Sequence, residues 1–543
     1  MNAISKDTEI TQSGEAIIMN AMAASSMQNI FSVHLGPHGT HKMIISKSGE
    51  LKITNDGHTL LTDIQFTNPS CLIISKAAQQ SYELLGDGVT SFVVFCTEIF
   101  GQSFSYYQNG TSIHKIIGGL KQGMRSLDGF LQQSRRPFSA STPQKLAISA
   151  LKTKIGGEYA DRIGGVVNRA FEHLLSPEVS GNMKMGANDK GTNHKGTNQQ
   201  IGTNNNQGNQ EIDINMVEII KMQHTEKDCE LVEGLVLDHA GRHAAMPEHL
   251  EDCYVLTSNL SLEYERTEIN SSFLYSTTHK KGELAQKERE HSTRNATLIA
   301  QFADRMRRET GRRLLFVTDK GIDPHNLEIL ARHNVLGLRR AKRRNLERIM
   351  RICGGTLVSR PEQLVEGSLG HCGRVEVRRI GDESYTFLKE VPHKGSCTIL
   401  VKGNNLHENS RTVTAIRAAL KGLLLGHKTP FYVAGGPKLF YQASRHIGAS
   451  MHTGKEGIDD VIGMKVIQAA LLKIAKVLIR NSGNNVEERI SEFERGEFKE
   501  FGNNDIVDSF SIIEGVIRNS LMVACTLLVV DDYIKAGKSV KKE

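Results

Sequence analysis

Residues 86–95 read Gly86-Asp87-Gly88-Val89-Thr90-Ser91-Phe92-Val93-Val94-Phe95. Two glycines let a backbone fold closely around a ligand, and the hydroxyls and N–H groups of an opening helix suit phosphate oxygens. Asp87, between the glycines, is placed to hold a magnesium ion that bridges those oxygens. The ordinary alternative is a capped helix start, because Asp, Thr and Ser are common N-cap residues. On these residues alone both uses of the motif stay open.

Upstream, residues 11–34 carry Ala16, Met19, Met22, Met27, Ile30 and Phe31 at helical spacing, which predicts a long helix with one buried face. It ends at Leu35-Gly36-Pro37-His38-Gly39-Thr40, a turn that Pro37 fixes. Lys42–Ser46 and Leu51–Thr54 form a hairpin, followed by a second tight turn at Asn55-Asp56-Gly57. Helices over 58–62 and 69–85 then lead into the motif at 86. Three glycine-rich turns therefore punctuate the first ninety residues, and their order is more specific than any one of them.

At 543 residues the chain is too long for one hydrophobic core and should divide into roughly three domains. A composition of 39% hydrophobic and 23% charged residues is that of a soluble globular protein. The eight cysteines are scattered, with no spacing suited to a metal, and read as buried thiols of a reducing compartment. The start, MNAISKDTEITQSGE, has no basic region followed by an apolar one, and the uncharged run Leu521–Val530 is too short to cross a bilayer. A cytoplasmic protein is expected. A net charge of +7 makes nucleic acid worth considering, but without tryptophan and with 6% aromatics no stacking platform for bases is evident.

The succession LGPHG (35–39), TNDG (54–57) and GDGVTS (86–91), at these separations, resembles the nucleotide-binding half of the group II chaperonins, the ring-forming folding machines of the eukaryotic cytosol and of archaea. Residues 234–268 and 321–355 closely resemble one subunit type of the eight-subunit eukaryotic ring. The resemblance favours the phosphate cradle over the plain capped helix. It implies an α/β multidomain fold. Its mostly helical equatorial domain would comprise residues 1–145 and 404–543, and its hinge-like intermediate domain residues 146–211 and 376–403. An α/β apical domain over 212–375 would capture unfolded chains.

For the site, the resemblance implies ATP or ADP with Mg2+. Nucleotide would be held by Leu35, Gly36, Pro37, Gly57, Gly88, Val89, Thr90, Ser91, Ser149, Gly435 and Gly436, with Asp87 on the metal and Asp531 on the ribose. The implied partners are seven paralogous subunits in a stacked double ring and non-native clients of the actin and tubulin type.

Residues 180–210 are mostly Gly, Asn, Gln and Thr, with Gly-Thr-Asn recurring at 191, 196 and 202, and are expected to be a disordered insertion. From 212, strands at Leu235–Leu237, Tyr254–Leu256, Leu314–Val317 and Val335–Leu338 alternate with helices after Pro324 and over 339–352, the pattern of an α/β unit. Residues 273–312 interrupt it with a polar helix whose apolar side is thin. Such a helix should project from the body, and the resemblance makes it the lid protrusion. Arg339, Arg340, Lys342, Arg343, Arg344 and Arg348 form the one dense basic cluster. It is either a groove that attracts acidic client segments or a merely solvated face. Leu346, Ile349, Met350 and Ile352 of the same helix are expected in the core. Thr398–Val401 returns as a strand, helices follow at 411–425, 436–452 and 458–481, and Leu527–Asp531 is expected to be a strand ending at the ribose acid.

Several positions depart from the family pattern. The aspartate that orients the attacking water is replaced by Ala418, in Ala415-Ile416-Arg417-Ala418-Ala419-Leu420. Alanine neither orients nor deprotonates water, so hydrolysis should fall by on the order of a hundredfold or more. The loop Gly435-Gly436-Pro437 loses a backbone donor at Pro437. His38 stands for a lysine, Val89 for a threonine, and the loop Gly502-Asn503-Asn504-Asp505 is shortened. The expectation is a subunit that binds nucleotide and hydrolyses it weakly, or else a purely structural ring member. A free-standing basic RNA-binding or scaffold protein has only charge in its favour.

Overall fold

The computed structural model describes residues 9–10, 14–46, 49–175, 212–263, 278–451, 458–496 and 506–535. The expected insertion at 180–210, Phe273–Tyr275, the shortened loop at 502–505 and the C-terminal tail lie outside the described residues. The chain divides into two compact units, one of Met1–Asn168 with Asn405–Glu543 and one of Arg169–Asn404.

The first unit is built around the helix Val89–Gln108, which packs against Glu15–Ser32, Pro69–Leu85, Ile458–Asn481 and Phe510–Leu528. Phe92, Val93, Val94, Phe95, Ile99 and Phe100 are all buried, so apolar residues face every direction of this helix, as a central helix requires. The motif at 86–91 is the joint that aims it. Gly86, at φ 76°, ends the helix Pro69–Leu85 with its N–H on the Tyr82 carbonyl. Gly88, at φ 84°, opens the next helix, and no side chain caps it. Positive φ at two positions two residues apart explains both glycines.

The expected hairpin is present as Lys42–Ile45 paired with Leu51–Thr54, and leaves Met43, Ile45, Leu51 and Ile53 exposed. A second ribbon pairs Glu9–Ile10 with Ile534–Lys535. One expectation fails here: Leu527 and Leu528 end the helix Phe510–Leu528, and no strand runs to Asp531. Ile513, Val516, Ile517, Leu521, Ala524 and Leu527 are buried at a spacing of three or four, so the helical period continues through the short apolar run. This helix is long and apolar enough to cross a membrane by length and composition, but its apolar face belongs to the unit's core.

The second unit holds a six-stranded mixed sheet in the order Leu336–Leu338, Leu314–Thr318, His249–Ser258, Gly370–Ile380, Glu383–Lys389, Gly234–Leu237. The first three strands are parallel and the rest antiparallel. A three-stranded sheet of Val217–Gln223, Cys397–Gly403 and Asp228–Val232 accompanies it. Pro324 occupies the first turn of its helix as expected.

The basic helix starts at Arg343 rather than 339, because Arg340 takes φ 55° and breaks the helical path. The polar helix is Thr278–Thr310, and it does not project along its whole length. From Ser292 onward it buries Asn295, Ala296, Ile299, Phe302, Ala303 and Met306 in the unit's core. Small and spaced apolar residues made that stripe look thinner than it is.

Candidate functional site

In the first unit a cavity of about 650 Å³ opens at the N-terminus of Val89–Gln108. The three glycine-rich turns converge on it, bringing Leu35, Gly36, Pro37, Gly57, Asp87, Gly88, Val89, Thr90 and Ser91 to one wall system. A Cβ on Gly57 would lie 2.4 Å from Thr90 Oγ1, and one on Gly36 3.1 Å from Leu478 Cδ2. The turns therefore pack on the cradle too closely for side chains there. Ser149, Gly436 and Ala418 complete the set of expected residues that line the cavity.

The plain capping role of Asp87 is excluded by its geometry, since its Oδ1 accepts from Lys154 Nζ at 2.9 Å. Burial disfavours the Lys154 ammonium, but the charges of Asp87 and Asp56 outweigh it and hold its pKa above the ordinary lysine value. The uncapped first turn of the helix presents its N–H groups and positive dipole end to the cavity. Asn55 Nδ2 donates to the Thr153 carbonyl at 3.3 Å, so the second turn is tied to the segment carrying Lys154.

Sequence reasoning passed over two of these groups. Lys154 carries no sequence motif of its own that marks it as a site residue. Asp508, on the short strand Val507–Ser509, lines the cavity opposite. Its strand is held by Val507 N–H donating to Ser149 Oγ at 3.2 Å and by pairing with Tyr432–Ala434. Asp508 is open only toward the cavity. The enclosing walls and the nearby Asp87 charge push its pKa up to about 6, against a hydrogen bond from the Gly436 N–H. The signal available was the alternation of Val507, Asp508 and Ser509, with only the acid turned from the core.

Asp531 and Gly435 are the two expected nucleotide residues that do not line the cavity. Asp531 is exposed beyond the end of Phe510–Leu528. Gly435 lies behind the wall, where an added Cβ would sit 2.7 Å from Asp508 Oδ2. Pro437 is the first residue of the helix Pro437–Met451, so the helix end facing the cavity lacks that N–H. His38 and Val89 both line the cavity. Ala418, on the helix Leu406–Lys428, is fully buried, and Ala419 and Gly422 continue the same apolar wall.

The donor set suits a polyphosphate with a divalent cation. Lys145, Lys152 and Lys154 face the carboxylates of Asp56, Asp87 and Asp508 across one space. Two polar atoms of lining residues, His34 Nε2 and Ser509 Oγ, are buried with no hydrogen-bond partner among the described residues.

The basic cluster of the second unit is largely tied up internally. Arg348 is buried, pairs with Glu218, and donates to Asn345 Oδ1 at 2.6 Å and to the Asn215 carbonyl at 3.1 Å. It shares a helix face with Asn345, Ile349 and Ile352, so helical period places it inward and removes it from any groove. Arg339 donates to the Ile322 carbonyl at 3.0 Å, Arg340 lies 3.4 Å from Glu263, and Lys342 lies 2.9 Å from Asp238. Arg343 and Arg344 are exposed. Leu346, Ile349 and Ile352 are core, as expected.

The family model of the TCP-1/cpn60 chaperonins matches residues 27–538. The T-complex protein 1 subunit zeta-2 of Mus musculus is 31% identical over 551 residues, covering 98% of this chain and 97% of its own. That of Homo sapiens is 30% identical over 562 residues, covering 100% and 99%. The resemblance of residues 234–268 and 321–355 to one subunit type is thus a resemblance to the zeta type, and it extends along the full length. With the cradle, the lysines and the carboxylates gathered around one cavity, the chain belongs to the TCP-1/cpn60 chaperonin family.

Proposed function

We propose that the cavity at the N-terminus of Val89–Gln108 binds ATP or ADP with Mg2+, and that this chaperonin subunit hydrolyses ATP weakly or not at all. Phosphate oxygens are received by the first-turn N–H groups and the hydroxyls of Thr90 and Ser91, and Lys154 supplies the buried positive charge. Asp87 holds the magnesium ion, whose bound charge offsets that of the phosphates. The acid of the site is Asp508 rather than Asp531. The observation that carries weak hydrolysis is Ala418: the wall formed by Ala418, Ala419 and Gly422 has no group to take a proton from water or to orient it. Nucleotide binding without turnover is tested by measuring ATP binding and hydrolysis in the unmutated subunit and in Ala418→Asp. Binding in both with turnover appearing only in the variant supports the proposal, and fast turnover by the unmutated subunit sinks it.

At the level of the assembly, the chain works in the cytoplasm as one wall of a stacked double ring with seven paralogous subunits, enclosing non-native clients of the actin and tubulin type. Support comes from the full-length similarity to named T-complex subunits. The hairpin also exposes Met43, Ile45, Leu51 and Ile53, an apolar edge suited to a neighbouring chain. The division into equatorial (1–145, 404–543), intermediate (146–211, 376–403) and apical (212–375) domains belongs to the same proposal. Free-standing RNA binding loses its one support, since five of the six clustered basic residues are bound within the unit.

A further inference from the structure

Three of the eight cysteines, far apart in sequence, meet in the core of the second unit. Cys253 on His249–Ser258 and Cys372 on Gly370–Ile380 are direct partners across an antiparallel pair. Cys353 is the last residue of the helix Arg343–Cys353, which packs on both strands. All three are free and buried within one apolar cluster. The Cys372 thiol is placed to donate to the Arg374 carbonyl oxygen at 3.3 Å and to that of Lys389 at 3.4 Å. Cys253, opposite it on the neighbouring strand, and Cys353, on the helix over both strands, are its two possible sulfur partners.

Directly opposed residues of an antiparallel pair have Cα atoms about 4.5–5.5 Å apart, inside the roughly 4.4–6.8 Å that a disulfide spans. We infer that Cys253, Cys353 and Cys372 form a thiol-exchange site in which peroxide closes a Cys253–Cys372 cross-strand disulfide and Cys353 serves as the exchanging thiol. Cys372 is the attacking sulfur, because once oxidised it has a resolving thiol directly opposite it at Cys253 and a second at Cys353 on the helix above. Its sulfur attacks one oxygen of hydrogen peroxide, forming a sulfenic acid and releasing hydroxide. The Cys253 sulfur then displaces the sulfenic oxygen, its proton leaving with that oxygen as water. The sum is two thiols and one peroxide giving one disulfide and two waters. In exchange, Cys353 attacks the Cys372 sulfur, a Cys353–Cys372 bond replaces the first, and the Cys353 proton passes to Cys253.

The test treats the folded full-length chain with hydrogen peroxide, blocks remaining thiols by alkylation and maps peptides by mass spectrometry. The expected result is loss of two of the three alkylatable thiols, with Cys253–Cys372 or Cys353–Cys372 linked peptides that dithiothreitol abolishes. Cys353→Ser keeps the Cys253–Cys372 link alone. All three thiols remaining alkylatable, or oxidation to sulfinic acid without a link, overturns the inference. Because the main readout uses the unmutated chain, a folding defect in the variant does not obscure it.

Discussion

At the scale of single residues, the proposed weak hydrolysis turns on Ala418. Its side chain lies in the cavity wall, so a carboxylate introduced there meets the space where a nucleotide's reacting end would lie. Ala418→Asp is expected to raise single-turnover hydrolysis by about 10²-fold or more, with nucleotide affinity changed little. Asp87→Ala should abolish the magnesium dependence of nucleotide binding, measured by titration with and without chelator. Asp508 gives a prediction in pH. An acid whose folded pKa of about 6 lies above its unfolded value of 3.8 binds more protons when folded between the two. Its contribution to stability therefore falls as pH rises through that window and stays low above it. Asp508→Asn removes the ionised group while keeping an acceptor for the Gly436 N–H. It should stabilise the nucleotide-free chain at pH 7 by up to about 3 kcal/mol, with the gain disappearing below about pH 4. Denaturant midpoints across pH read this directly.

The short joints and buried pairs between elements are where substitutions should be most costly. Gly88 holds φ 84°, and an added Cβ would meet Val516 Cγ2 at 2.6 Å. Gly88→Ala should cost about 1–3 kcal/mol and tilt the central helix away from the cradle. Arg348→Met leaves Glu218 without its partner inside the second unit and should cost about 3–5 kcal/mol, partly recovered when Glu218→Gln accompanies it.

The same elements show what a single sequence reveals. The long periodic helices and the order of the glycine turns were legible, because burial of one face and positive φ leave marks in residue type. Leu527–Val530 was not, since a short apolar run fits a strand and a buried helix equally until the residues before it are counted. Asp508 escaped notice because a three-residue strand carries almost no periodicity. The basic cluster misled for a different reason: charge is visible in sequence, but the acids at 218, 238 and 263 that neutralise it lie 77 or more residues away.

For the whole molecule, family membership and ring function rest on different observations. The first follows from a match running nearly end to end. The second is a proposal about what surrounds the chain, since one subunit supplies only one wall of a closed ring. In the proposed function, the apolar hairpin edge would meet a neighbouring subunit and the cavity would hold nucleotide, with the neighbours supplying the hydrolysis that Ala418 would not support. The most direct measurement is gradient sedimentation of the native protein from its own cytosol, with the subunits of the particle identified by mass spectrometry. The account predicts migration in a ring-sized particle together with seven related chains. A free monomer carrying none of them would contradict it.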